Sequence, residues 1–191
     1  MIYADTNILV SLLAGDNCAT AAAEWWSAQS VPIGISSWVA AEFHSHMGLR
    51  CRKKEITARQ ASAFAAAFDE MVSTNLTLLK SSDNAMLRAS TWLRTPDCAL
   101  QTSDALHLAI ALENEAAAIA TFDHRFARGI EKLRVAGLKV IALPFANAPQ
   151  GARQKSADYN VTERDVARAA RAARSRKAVE RAGVPRLTVR G

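Results

Sequence analysis

The sequence predicts an α/β fold in which a parallel sheet is covered on both faces by helices, and three observations carry that reading. Half of the 191 residues are hydrophobic, enough for one domain with a core of its own. Short apolar, β-competent runs alternate with longer alanine-rich stretches of helical periodicity. Turn and helix-start signals such as Asp5-Thr6-Asn7 and Ala136-Gly137 fall between those runs.

Taken in order, Ile2-Tyr3-Ala4 is a short apolar strand that ends at Asp5-Thr6-Asn7. Ile8-Leu9-Val10 and Leu12-Leu13 follow, so the strand runs into a helix. Helices are expected from about Cys18 to Gln29, from Ser37 to about Lys53, and from Thr57 to about Val72, the last opened by a Thr N-cap. Strands are expected at Val31–Ile35, Leu76–Leu79, Ala117–Thr121 and Lys139–Leu143. Helices at about Asp83–Leu93, Ser103–Glu115 and His124–Val135 lie between them. Pro144, Pro149 and Gly151 mark a linker, so a domain spanning 1–143 is expected, with 144–191 as linker and a basic tail, helical or partly disordered. Within the tail, Thr162-Glu163-Arg164-Asp165 resembles a capping box, and Gly183 with Pro185 would stop the helix begun there.

The net charge of +6 is unevenly placed. The first 143 residues hold 13 Lys and Arg against 14 Asp and Glu, whereas the last 48 hold 11 against 4. A basic arm on a near-neutral body suits nucleic acid, an acidic partner, or the protein's own acidic site. No apolar run reaches the roughly 18 residues of a membrane-spanning helix, and the N-terminus lacks the pattern of a secretory signal. A cytoplasmic protein without membrane association is therefore expected. Cys18, Cys51 and Cys98 are odd in number and form no CxxC pair, which points away from a disulfide framework and a zinc site.

Four carboxylates stand out. Asp5, Asp104 and Asp123 each have a structural explanation: Asp5 and Asp123 follow strands and suit N-caps, while Asp104 lies in the first turn of a helix that Thr102 or Ser103 could cap. Glu42 has none. On a helical wheel Trp38, Val39, Phe43, Met47 and Leu49 form an apolar arc, and Glu42 and His46 project inside it. An ionised carboxylate there requires a metal, a cationic partner or a water-filled cleft. In an open parallel sheet the functional crevice lies beyond the carboxyl ends of the strands, where Asp5 and Asp123 fall. Two carboxylates about 4 Å apart repel by about 4 kcal/mol at an effective dielectric near 20, so a shared cleft requires protons or cations. Mg²⁺, which prefers oxygen ligands and retains waters, is the counter-ion such a set predicts, with Mn²⁺ as a substitute.

Ile2–Leu9 (IYADTNIL), Glu42 within Ala40–Phe43 (AAEF), Ser103–Ala109 (SDALHLA) and Ala120–Phe126 (ATFDHRF), in that order, resemble the PIN-domain nucleases, most closely the VapC-type ribonuclease toxins of bacterial toxin–antitoxin pairs. The resemblance spans roughly Met1–Leu143. It implies an α/β/α sandwich and a site of Asp5, Glu42, Asp104 and Asp123, with Asp5, Asp104 and Asp123 holding metal and Thr6, Asn7 and Thr121 orienting it by hydrogen bonds. For these three residues, capping and strand-end satisfaction stay open as alternatives. The implied activity is Mg²⁺-dependent hydrolysis of RNA by an activated water, leaving a 5′-phosphate and a 3′-hydroxyl. An antitoxin partner and a homodimer are implied with it. Two other readings stay open: a catalytically silent nucleic-acid-binding protein, and a phosphatase with Asp5 as nucleophile. The latter is disfavoured because Asn7 stands where a second Asp would be needed.

The resemblance does not extend to the C-terminal segment. Arg164, Arg168, Arg171 and Arg174 fall within one arc of the expected tail helix, opposite Val166, Ala169, Ala170 and Ala173. They could follow an RNA backbone or lie against the carboxylate cluster.

Overall fold

The computed structural model of the chain describes residues 1–144. The expected tail helix and Arg164, Arg168, Arg171 and Arg174 lie outside them. Strand β1 (Ile2–Ala4) is buried along its whole length, because it pairs on both sides. Its neighbours are β2 (Ile33–Ser36) and β4 (Ala118–Thr121), and β3 (Leu76–Leu79) and β5 (Lys139–Ala142) complete a parallel sheet of order β3-β2-β1-β4-β5.

Parallel neighbours cannot be joined by a tight turn, so each return runs through helix. Between β1 and β2 come α1 (Thr6–Ala14) and α2 (Ala19–Ser27); between β2 and β3, α3 (Ser37–Arg52) and α4 (Ala58–Thr74). The long return to β4 carries α5 (Asp83–Leu93) and α6 (Thr102–Glu113), and α7 (His124–Leu133) leads to β5. The chain steps away from β1 in one direction before β3 and in the other from β3 to β5. With right-handed crossovers, α1–α4 must then cover one face and α5–α7 the other. The packing agrees: α1 lies against α2, α3 and α4, whereas α5 packs along α6 and α7 rests on β4 and β5. This is the three-layer α/β/α arrangement expected from the sequence.

The differences in detail have local causes. Helix α6 starts at Thr102, with Gln101 in the N-cap position in place of Thr102 or Ser103. Helix α7 stops at Leu133, because Arg134 takes a left-handed conformation with φ of 50°. On α3 the buried stripe is narrower than the wheel suggests. Val39, Phe43, Met47 and Arg50 are buried, Trp38 and Glu42 lie at the margin, and His46 and Leu49 are exposed. Trp26 is in the core, and Trp25 and Trp92 pack partly buried against it. The three cysteines are unpaired thiols, and among the described residues no helix is long and apolar enough to cross a membrane.

Phe43 joins α3 to α4, since its ring stacks on Phe68 of α4 with centroids 4.5 Å apart and planes 17° from parallel. Both rings are fully buried. Phe43→Ala should lower the free energy of unfolding by about 3–5 kcal/mol, measured by urea denaturation.

Candidate metal centre

The sheet order places the carboxyl ends of β1, β2 and β4 side by side, at the point where the connections diverge in opposite directions. Asp5 follows β1 directly and occupies the N-cap position of α1, but its side chain makes no cap hydrogen bond. Instead Asn7 Nδ2 and Thr121 Oγ1 each donate to Asp5 Oδ2, both at 2.6 Å. The capping explanation for the Asp5 side chain therefore does not hold. Its carboxylate is turned across the strand ends, with Oδ1 directed toward His107 Nε2 at 3.5 Å.

Thr6, Asn7 and Thr121 form the frame around it. Asn7 Nδ2 also donates to Thr121 Oγ1, and Asn7 Oδ1 accepts from the Phe122 amide, which ties α1 to the end of β4. Thr121 Oγ1 accepts in addition from the Asp123 amide. Thr6 Oγ1 donates to Glu42 Oε2 at 2.5 Å.

Glu42 reaches this point from α3, with 26% of its side chain exposed. The partner its position demands is present: His107 Nε2 lies 2.8 Å from Glu42 Oε2. His107 is 3% exposed, and its other nitrogen, Nδ1, lies 2.9 Å from the Tyr3 hydroxyl, which lies 2.9 Å from Ser36 Oγ. One atom each from Asp5, Glu42 and His107 lies within 4.8 Å of the other two, a set that could hold one metal ion. The mixed oxygen and nitrogen donors suit a divalent first-row ion.

Asp104 and Asp123 are not members of this group. Asp104 is buried in the first turn of α6, where Oδ2 accepts from the Gln101 amide at 3.1 Å. It precedes His107 by three residues, so the two share a face of the helix, and its charge acts on the imidazole. Asp123 caps α7, with Oδ1 accepting from the amides of Arg125 and Phe126. The capping explanation thus applies to both. Arg125 is exposed on α7, and His124 Nε2 meets the Leu143 carbonyl at 3.1 Å, apart from the acids.

Burial pushes the Asp5 pKa up, against the lowering effect of the His107 charge and the Thr121 hydrogen bond. Burial would do the same to Glu42, but the hydrogen bond and charge of His107 outweigh it and hold the Glu42 pKa below the ordinary carboxylate value. For His107, burial opposes the charged form, and the Glu42 hydrogen bond with the charges of Asp5 and Glu42 overcomes it, raising the pKa.

Sequence reasoning alone overlooks His107. The signal was available: α6 is apolar almost all round, so an imidazole inside it requires a polar partner for the same reason that Glu42 does.

A family model of the PIN domain matches residues 2–131. No curated protein matches the sequence significantly. Among solved structures, the chain is similar to VapC20 of Mycobacterium tuberculosis, described as a Sarcin-Ricin loop cleaving toxin. The identity is 25% and the TM-score 0.56, over 67% of this chain and 94% of that one. It is similar to FitAcB from Neisseria gonorrhoeae at 13% identity and a TM-score of 0.55, over 74% of this chain and 96% of that one. VapBC2 from Rickettsia felis, bound to a DNA fragment from their promoter, shares 20% identity at a TM-score of 0.52, over 75% of this chain and all of that one. At these identities the last two show the fold alone.

Two outcomes are expected of the metal-free protein. Thr121→Val keeps the shape but removes the donor to Asp5 and the acceptor for Asn7 and the Asp123 amide, and should destabilise the fold by about 1–3 kcal/mol in urea. Asp5 and His107 hold protons more tightly folded than unfolded. Their contributions are complete below the ordinary values of 3.8 and 6.5 and are lost as pH rises through the raised folded ones. Glu42 works in the opposite sense, its contribution being lost as pH falls. Raising pH from about 6 to about 9 should therefore lower the urea midpoint, and His107→Gln should flatten the decline.

Proposed function

We infer, since this chain belongs to the PIN-domain family, that it is a divalent-metal-dependent nuclease, an endoribonuclease acting as the toxin of a toxin–antitoxin pair. The convergence of Asp5, Glu42 and His107 at the strand ends, with Asp104 one turn before His107, carries this reading. The likeness to VapC20 supports it, since that relative is described as a toxin that cleaves a loop. Mg²⁺ is the proposed physiological ion, with Mn²⁺ able to replace it, and RNA the proposed substrate in the cytoplasm. An antitoxin and a second copy of the chain are the proposed partners.

Each side chain has a task in that reaction. Asn7 and Thr121 hold Asp5 Oδ2, which leaves Oδ1 directed into the cleft. Thr6 holds Glu42 at the open margin, where it can accept a proton from the attacking water. Asp104 and Asp123 each commit one oxygen to a helix N-terminus, which leaves the second to share the site's positive charge. A divalent cation held there would supply activation of the attacking water and would offset charge on the phosphoryl oxygens. Hydrolysis would join the water's oxygen to phosphorus and break the bond to the 3′ oxygen, the water passing a proton to Glu42 and the departing oxygen taking one from solvent.

The domain spanning 1–143 is the proposed catalytic unit. The basic segment after it is proposed to follow the RNA backbone through Arg164, Arg168, Arg171 and Arg174, giving an affinity that falls steeply with salt.

The test is cleavage of a structured RNA with and without Mg²⁺. Asp5→Asn and Asp104→Asn should each slow cleavage by roughly 10²–10³-fold, the equivalent of several kcal/mol of charge stabilisation. Chelation should abolish it. Cleavage that survives chelation, or full activity in both variants, refutes the assignment. Removal of residues 148–191 should weaken RNA binding and reduce its salt dependence.

A further inference from the structure

We propose that His107 Nε2 is itself a ligand of the metal that this site takes, and that Tyr3 and Ser36 hold the imidazole in the tautomer that makes it one. The proposal rests on the nuclease reading and assigns to the centre a nitrogen donor where oxygen alone is expected.

Spacing comes first. Donor atoms about 2.0–2.2 Å from one ion stand roughly 3–3.5 Å apart at octahedral or tetrahedral angles. His107 Nε2 is 2.8 Å from Glu42 Oε2 and 3.5 Å from Asp5 Oδ1. One ligand atom from each of the three lies within 4.8 Å of the others, and an ion would draw them to that spacing.

The second argument is the far side of the ring. A metal-bound histidine donates its other N–H to an acceptor that fixes tautomer and ring plane. Here the acceptor is the Tyr3 oxygen, 2.9 Å from Nδ1. Tyr3 can accept because its own hydrogen has somewhere to go: Ser36 Oγ, at 2.9 Å. With the chain running from Nδ1–H to Tyr3 and from Tyr3 to Ser36, Nε2 presents a lone pair between the two carboxylates. Two aromatic rings also pack near the imidazole, Tyr3 with its centroid 5.8 Å away and Phe126 at 6.3 Å.

The reverse direction, Ser36 to Tyr3 to Nδ1 with Nε2–H donating to Glu42, satisfies the same atoms without an ion. The three side chains therefore serve both states, and binding releases the proton that Nε2 shares with Glu42. A nitrogen donor moves the site's preference from Mg²⁺ toward borderline ions such as Mn²⁺.

The experiment loads the full chain with Mn²⁺ and records electron spin-echo envelope modulation. Coupling to the ¹⁴N of one imidazole is expected, and it should vanish in His107→Gln. Tyr3→Phe keeps the buried ring and should weaken Mn²⁺ about 10–100-fold, the usual consequence of losing an outer partner of a ligand. Mn²⁺ bound by the native protein with no ¹⁴N coupling overturns the assignment of His107 and leaves the nuclease reading intact. Unchanged Mn²⁺ affinity in Tyr3→Phe overturns the role of Tyr3 and Ser36. Failure of the nuclease reading shows differently, as Mn²⁺ binding that neither Asp5→Asn nor Asp104→Asn weakens.

Discussion

Asp5 is 7% exposed at the end of the central strand, and much of the surrounding structure is arranged around the cost of keeping a carboxylate there. It accepts two short side-chain hydrogen bonds from residues on two different elements and faces an imidazole on a third. Each of these partners is held in turn: Asn7 by the Phe122 amide, Thr121 by the Asp123 amide, and His107 by Tyr3. Sheet order makes the arrangement possible, since only strands adjacent to β1 can bring Ser36 and Thr121 to the same edge. The fold and the site are in this sense one network, and polar groups buried within it are satisfied mainly by one another.

The family's acids divide by what the helix termini require. Asp104 and Asp123 each give an oxygen to backbone amides at the start of a helix, whereas Asp5 stands at such a start without making the cap hydrogen bond and is held mainly by side chains. An aspartate that declines the cap available to it must be held elsewhere by something stronger. Here that is the pair of hydrogen bonds from Asn7 and Thr121, together with the attraction of His107.

Much of this was legible in the sequence, for identifiable reasons. The strands at Leu76–Leu79 and near the N-terminus are readable because short apolar runs between helical stretches have few alternatives. Glu42 is readable because a charge inside an apolar arc is an anomaly wherever that arc packs. The arc itself misleads about His46 and Leu49, which face outward, because the wheel records direction and not how far a neighbouring element extends. His107 carries a signal of the same kind, since an imidazole in a helix apolar almost all round also requires a polar partner, but which partner it meets is not encoded locally. The choice between a capping and a metal-facing aspartate depends on contacts from residues more than a hundred positions away, such as Thr121 to Asp5, which no local signal encodes.

Tyr3 and Ala4 lie on a strand hydrogen-bonded to neighbours on both sides, in the middle of the sheet. The amides of such a strand exchange with solvent only when the whole molecule opens, so Asp5 is attached to the slowest-exchanging part of the protein. Glu42 is attached to a helix margin open to water. The site is therefore asymmetric in its dynamics: Asp5 parts from its strand only with global opening, whereas Glu42, held by Thr6 and His107, is released by local opening at the helix margin.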